Sequence, residues 1–93
     1  MTLGAIEAIE AVGLFPGQDI IIITVDGEQG AIDLLQKGKI NCVVECTPLI
    51  GDSVMELVKR LAVGESIPRL TYSEERVFTE WDDDLMAIPP RGY

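Results

Sequence analysis

The chain is 93 residues long, enough for one domain, and at that size the fraction of surface buried on folding is modest. Hydrophobic residues make up 47% of it against 25% charged, which excludes a disordered tail and is generous for so small a body. Sixteen acids against seven bases leave a formal charge of −9, which argues against nucleic-acid or membrane-surface partners, and the lack of histidine removes the commonest general base and metal ligand and so argues against an enzyme.

From the amino terminus, Leu3, Ile6, Ile9 and Val12, joined by Ala5 and Ala8, recur at helical spacing and stop at Gly13, predicting a helix over 2–12. With no basic flank and no long apolar core, this segment reads as neither a signal peptide nor a membrane span. Pro16-Gly17 makes a turn into the run Asp19 to Gly27, where Ile20, Ile21, Ile22, Ile23 and Val25 show no in/out alternation. That pattern predicts a strand over 19–25 covered on both faces, as in a parallel sheet between helices. Ala31, Leu34 and Leu35 give a helix over 28–37, closed by Lys37-Gly38.

Ile40 to Cys46 reads as a second strand, interrupted by Asn41 and Glu45 and ended by Thr47-Pro48. Cys42 and Cys46 fall on one face of it about 13 Å apart, too far to bridge, and are expected as buried thiols; with no histidine they are too few to hold zinc within one chain. Val54, Leu57, Val58 and Leu61 form an apolar stripe predicting a helix over 50–63 that stops at Gly64. A third strand is expected around 69–78, at an edge or in a linker because Ser73, Glu74, Glu75 and Arg76 make it polar. Thr79 with an acid three residues later predicts a short helix over 80–87, stopped by Pro89-Pro90.

The helix-ending glycines at 13, 38 and 64 mark an αβαβαβ order. The fold class this predicts is α/β, a three-layer, mostly parallel sheet of βα units whose three strands run parallel with right-handed crossovers. Sheets of that kind bind ligands outside the carboxyl ends of their strands, where Asp26 lies. Two readings stand for Asp26: a carboxylate that faces a ligand, or a cap on the following helix with Gly27 making the turn. Glu45 either faces the same edge or is solvated there, and solvation is the expectation.

Asp82, Asp83 and Asp84 lack the glycine and closing Glu of a calcium loop and read as a solvated helix start. Trp81, Tyr72, Phe78 and Tyr93 read as core or arm packing rather than a sugar-stacking set. Gly27-Glu28-Gln29-Gly30 lacks the Gly-Lys-Ser/Thr ending of a phosphate loop, and a phosphoacceptor role for Asp26 lacks the acidic pair that would hold magnesium. No cofactor and no metal is expected.

Six segments carry a resemblance: Leu3 to Gly13, Pro16-Gly17-Gln18-Asp19 with the isoleucines that follow, Val25-Asp26-Gly27, Gly38-Lys39-Ile40, Glu45-Cys46-Thr47-Pro48 and Gly64-Glu65. In order and spacing they resemble the carboxyl-terminal part of type I periplasmic sugar-binding proteins of ABC transporters, of the ribose, galactose and galactofuranose kind. The resemblance runs from Met1 to about Phe78. It implies a partial second lobe over 1–78 and a carboxyl-terminal arm over 79–93, from a fold in which two α/β lobes joined by three hinge strands clamp a sugar.

It also implies that Asp26 accepts hydrogen bonds from sugar hydroxyls, a task that suits an acceptor-only carboxylate. A second contact, an amide side chain at the next strand tip, falls at Cys46, where this chain carries a thiol. An ABC permease as partner and a periplasmic location follow for the family. The expected function is therefore that of a fragment of a sugar receptor, binding monosaccharide weakly or not at all without a facing lobe. The alternative is a self-associating α/β module without ligand recognition. In either case a bare sheet edge beside apolar helix faces predicts a homodimer, joined edge to edge or by exchange of the arm from Leu70 onward.

Overall fold

A computed structural model describes residues 1–93. Along the chain come α1 (Thr2–Ala11), β1 (Ile23–Asp26), α2 (Gln29–Gln36), β2 (Cys42–Glu45), α3 (Gly51–Ala62), β3 (Val77–Thr79) and a single 3-10 turn (Leu85–Ala87). The three strands form one sheet in the order β1-β2-β3. The α/β class and the first five elements follow the sequence pattern.

β1 and β2 pair in parallel, with Thr24 opposite Val43 and Asp26 opposite Glu45. α2 covers one face of this pair, burying Ala31, Ile32 and Leu35 together with Ile40 and Val43, and α1 adds Ile6. Thr24, Val43 and Phe78 form one row across that face because directly opposed residues share a side. Asn41, which interrupts the apolar run, is buried and fully used: its Oδ1 accepts from the Ile22 amide at 2.8 Å and its Nδ2 donates to the Gly17 carbonyl at 2.8 Å. Gly17 is required here, since a Cβ at its φ of 80° would stand 2.3 Å from the Gly38 carbonyl oxygen.

The third strand overturns the all-parallel expectation. β3 runs antiparallel to β2, with Val43 opposite Phe78 and Val44 opposite Val77. A helix joining parallel strands must travel back along the sheet, whereas one joining antiparallel neighbours can leave and return at the same end. The connection through α3 does the latter. Its two legs run side by side, the Glu45 amide donating to the Arg76 carbonyl at 2.9 Å and the Thr47 amide to Glu75 Oε1 at 3.0 Å.

α3 therefore projects beyond the carboxyl ends of β1 and β2, buries none of its residues, and touches mainly its own return segment near Thr71 and Tyr72. The molecule measures 60 × 26 × 19 Å as a result. No helix of this chain covers the outer sheet face, so the isoleucine strand, expected to be covered on both faces, is covered here on one: Ile22 and Thr24 are buried while Ile21, Ile23 and Val25 are exposed.

The helix expected over 80–87 shrinks to the 3-10 turn. The capping contact forms, as the Thr79 amide and hydroxyl both donate to Asp82, but Asp82 and Asp84 are then held by Arg76, and no helix propagates before Pro89. Ile88 beyond the turn joins the core. Cys46 is exposed and Cys42 half-buried, both free, so the expectation of two buried thiols fails at Cys46, which lies one residue past the ladder.

Candidate functional site

The carboxyl ends of β1 and β2 bring Asp26, Glu45 and Cys46 together. The Cys46 amide donates to the Asp26 carbonyl at 3.1 Å, closing the parallel ladder. Asp26 adopts a φ of 96° and Gly27 a φ of 75°, so two consecutive left-handed residues turn the chain sharply from β1 into α2. For an aspartate that conformation is strained by roughly 1–3 kcal/mol. A Cβ on Gly27 would lie 3.3 Å from the Glu45 Cα, which keeps this turn tight against the tip of β2.

The capping reading of Asp26 does not survive. α2 starts after Glu28, without a side-chain cap, and the Gln29 amide donates instead to the Tyr93 carbonyl at 2.9 Å. The Asp26 carboxylate is exposed and left without a hydrogen-bond partner in the chain. It stands on the rim of a concavity of about 360 Å³, walled by Thr2 and Leu3 of α1, by Ile23 to Asp26 of β1, and by Ala31 and Leu34 of α2. That volume lies at the small end of small-molecule sites.

Glu45, expected to be solvated, is instead enclosed. Its side chain is 11% exposed and pairs with Arg91, itself 13% exposed, while the Tyr93 hydroxyl donates to Glu45 Oε1 at 3.2 Å. The Arg91 guanidinium lies 5.2 Å from the Phe78 ring centre and 5.4 Å from that of Tyr93, and the Arg91 amide donates to Gln29 Oε1 at 2.6 Å. The last residues of the chain thus bolt the tip of β2 to the start of α2, with Asp26 and Gly27 between them. Sequence reasoning missed Gln29 and Arg91 as parts of this edge; a polar tripeptide after two prolines gave no local sign that it would return to residues 29 and 45.

Trp81 and Tyr72 are exposed and separate from this edge, and Phe78 is in the core. Beside β3, hydrogen bonds from the Thr79 amide and hydroxyl, with Arg76 added, hold the Asp82 carboxyl below the usual carboxylate range, and Arg76 does the same for Asp84. No group of three or more potential ligands is arranged to hold a metal ion.

No family model matches the chain. The fructose import binding protein FruE of Bifidobacterium longum is 33% identical over 78 residues, covering 84% of this chain and 23% of FruE. Among solved structures, a Mycobacterium smegmatis protein in complex with β-D-fucofuranose is 41% identical, with a TM-score of 0.81 over 92% of this chain and 28% of its own. The chain is thus similar to sugar-binding proteins, among them a periplasmic one. That one is the binding protein of the arabinose ABC transporter of Shewanella sp. ANA-3, bound to α- and β-L-arabinofuranose, 31% identical with a TM-score of 0.80 over 91% of this chain and 28% of its own. The chain spans about a quarter of the length of the sugar-binding relatives it matches. Those relatives are binding and transport components rather than enzymes, and no helix of this chain is long and apolar enough to cross a membrane.

Proposed function

We propose that this chain is part of the sugar-binding receptor of an ABC transporter and that Asp26 is its contact to sugar hydroxyls. One observation carries the reading: the Asp26 carboxylate stands unspent at a strand tip, beside the tip of the neighbouring strand, on a backbone held at φ 96°. Strained residues persist only where their surroundings over-determine them, and they cluster at ligand sites. An ionised carboxylate offers acceptors only, and two vicinal hydroxyls can fill two of them. Cys46 occupies the neighbouring tip as a weak donor and acceptor, so its contact is the weaker of the two.

The sheet with α1 and α2 forms one jaw, and α3, hung across the ligand edge on two adjacent legs, belongs with the body that faces it. On this reading the receptor works outside the cytoplasm and delivers its sugar to an ABC permease. It performs no catalysis. With the facing body absent Asp26 sits in water, where a few hydroxyl hydrogen bonds contribute little net affinity.

Titration calorimetry with arabinose, fucose, galactose and fructose is expected to show binding by the isolated chain no tighter than about millimolar. Grafted in place of the matching quarter of the Mycobacterium smegmatis protein, the chain is expected to restore a fucose site that Asp26→Ala weakens at least about tenfold. Micromolar binding by the isolated chain that survives Asp26→Ala, or a graft indifferent to that change, would overturn the assignment.

A second reading, a homodimer of the chain itself, is favoured by two apolar surfaces that find no cover within one copy: the outer sheet face and the stripe of α3.

A further inference from the structure

The Asp26 carboxylate has no partner in the chain, so the backbone alone sets its direction. That backbone lies at φ 96°, and a residue strained in this way keeps its conformation only where its surroundings over-determine it. Two anchors do so. On one side the Asp26 carbonyl accepts from the Cys46 amide at 3.1 Å. On the other the Gln29 amide, at the start of α2, donates to the Tyr93 carbonyl at 2.9 Å, and Gln29 Oε1 accepts from the Arg91 amide at 2.6 Å. Gly27 and Glu28 are all that lies between them.

Side chains join the two anchors to each other. Arg91 Nη2 pairs with Glu45, the residue before Cys46, and donates to the Tyr93 hydroxyl at 3.0 Å, which donates in turn to Glu45 Oε1 at 3.2 Å. The Asp26 turn is thus one arc of a closed circuit that returns through Arg91. Arg91 Nε is buried without a hydrogen-bond partner. A buried ion pair that leaves a donor unmet adds little stability over apolar packing of the same volume, whereas fixing a geometry is what such a pair does well.

We propose that Arg91 is a positioning residue for sugar binding, a role that rests on the reading of Asp26 as the sugar contact. Through Glu45 and Gln29 it holds the turn at residues 26–29 in its left-handed form and so aims the Asp26 carboxylate at the ligand edge. It acts on the backbone of the turn and not on the sugar. With the circuit opened, the strain at Asp26 is released, only a fraction of the molecules keeps the carboxylate aimed, and apparent affinity falls by that fraction.

Backbone amide relaxation, followed by NMR on the full chain, reads the turn directly. Order parameters of about 0.85 are expected at Asp26 and Gly27, falling below about 0.6 in Arg91→Met and in Gln29→Leu while Thr24 and Val43 stay near about 0.85. Gln29→Glu keeps the acceptor for the Arg91 amide and should restore the rigid value. Gln29→Leu leaves the pair between Arg91 and Glu45 in place, so it gives the answer even if Arg91→Met fails to fold. In the receptor graft both variants are expected to weaken fucose binding at least about fivefold, and neither should weaken it further once Asp26→Ala is present, whereas a general loss of structure would add to the deficit of Asp26→Ala. A turn that stays rigid in both variants, or losses that add to that of Asp26→Ala, overturns the positioning role and leaves Asp26 as the contact. A graft indifferent to Asp26→Ala overturns the reading of Asp26 and the positioning role with it.

Discussion

At the scale of single residues, Asp26 sets a stability cost against a ligand role. Replacing it with glycine removes the penalty of a Cβ at φ 96°, so Asp26→Gly is expected to raise stability by about 1 kcal/mol, read as a higher urea midpoint, while removing the sugar contact. Asp26→Ala keeps the strain and should give no such gain. Glu45 and Arg91 behave in the opposite way. Truncating Arg91 leaves an enclosed carboxylate with only hydrogen bonds from Tyr93 and the Arg76 amide, so Arg91→Ala is expected to cost about 2 kcal/mol, with Arg91→Lys recovering only part because it lacks the planar fork. The position of Asp26 was legible because the β-branched run ends visibly at it. The burial of Glu45 was not, because it depends on a partner 46 residues further on that no local pattern announces.

At the scale of elements, periodicity located α1, α2 and α3 but said nothing about what their apolar stripes meet. α2 and α3 both carry amphipathic patterns, yet one buries three residues and the other none. The difference arises from the polarity of β3, and strand polarity is a property of the pairing and leaves no mark on the strand's own residues. The polar stretch Ser73 to Arg76 did carry a signal, since it lies in a leg outside the ladder. In hydrogen exchange by mass spectrometry of the chain at low concentration, α3 amides are expected to exchange well before those of α2, because no core packing protects them.

The strap around β3 has its own pH response. Asp82 and Asp84 titrate below their ordinary range when folded, so the stabilisation they provide is complete above about pH 4 and is lost as the pH falls through their lowered values. Acid is therefore expected to loosen residues 79–87 first, and Asp82→Asn should flatten that dependence when melting temperature is followed from about pH 5 to pH 2.

At the scale of the whole molecule, an elongated shape and a charge of −9 act against one another. On the homodimer reading, apolar surface would drive two copies together while like charges hold them apart, so self-association of the chain is expected to tighten as salt rises from about 0.05 to 0.5 M, which screens the repulsion; self-association that weakens with salt would contradict an apolar interface. The paired legs have one more consequence. Because β3 is held by its ladder to β2 and by Phe78 and Ile88 in the core, a protease that nicks the chain at Arg69 severs only the loop that carries α3. The two resulting pieces should travel as one particle until denaturant parts them, for the cut falls outside everything that joins the first half of the chain to its last seventeen residues.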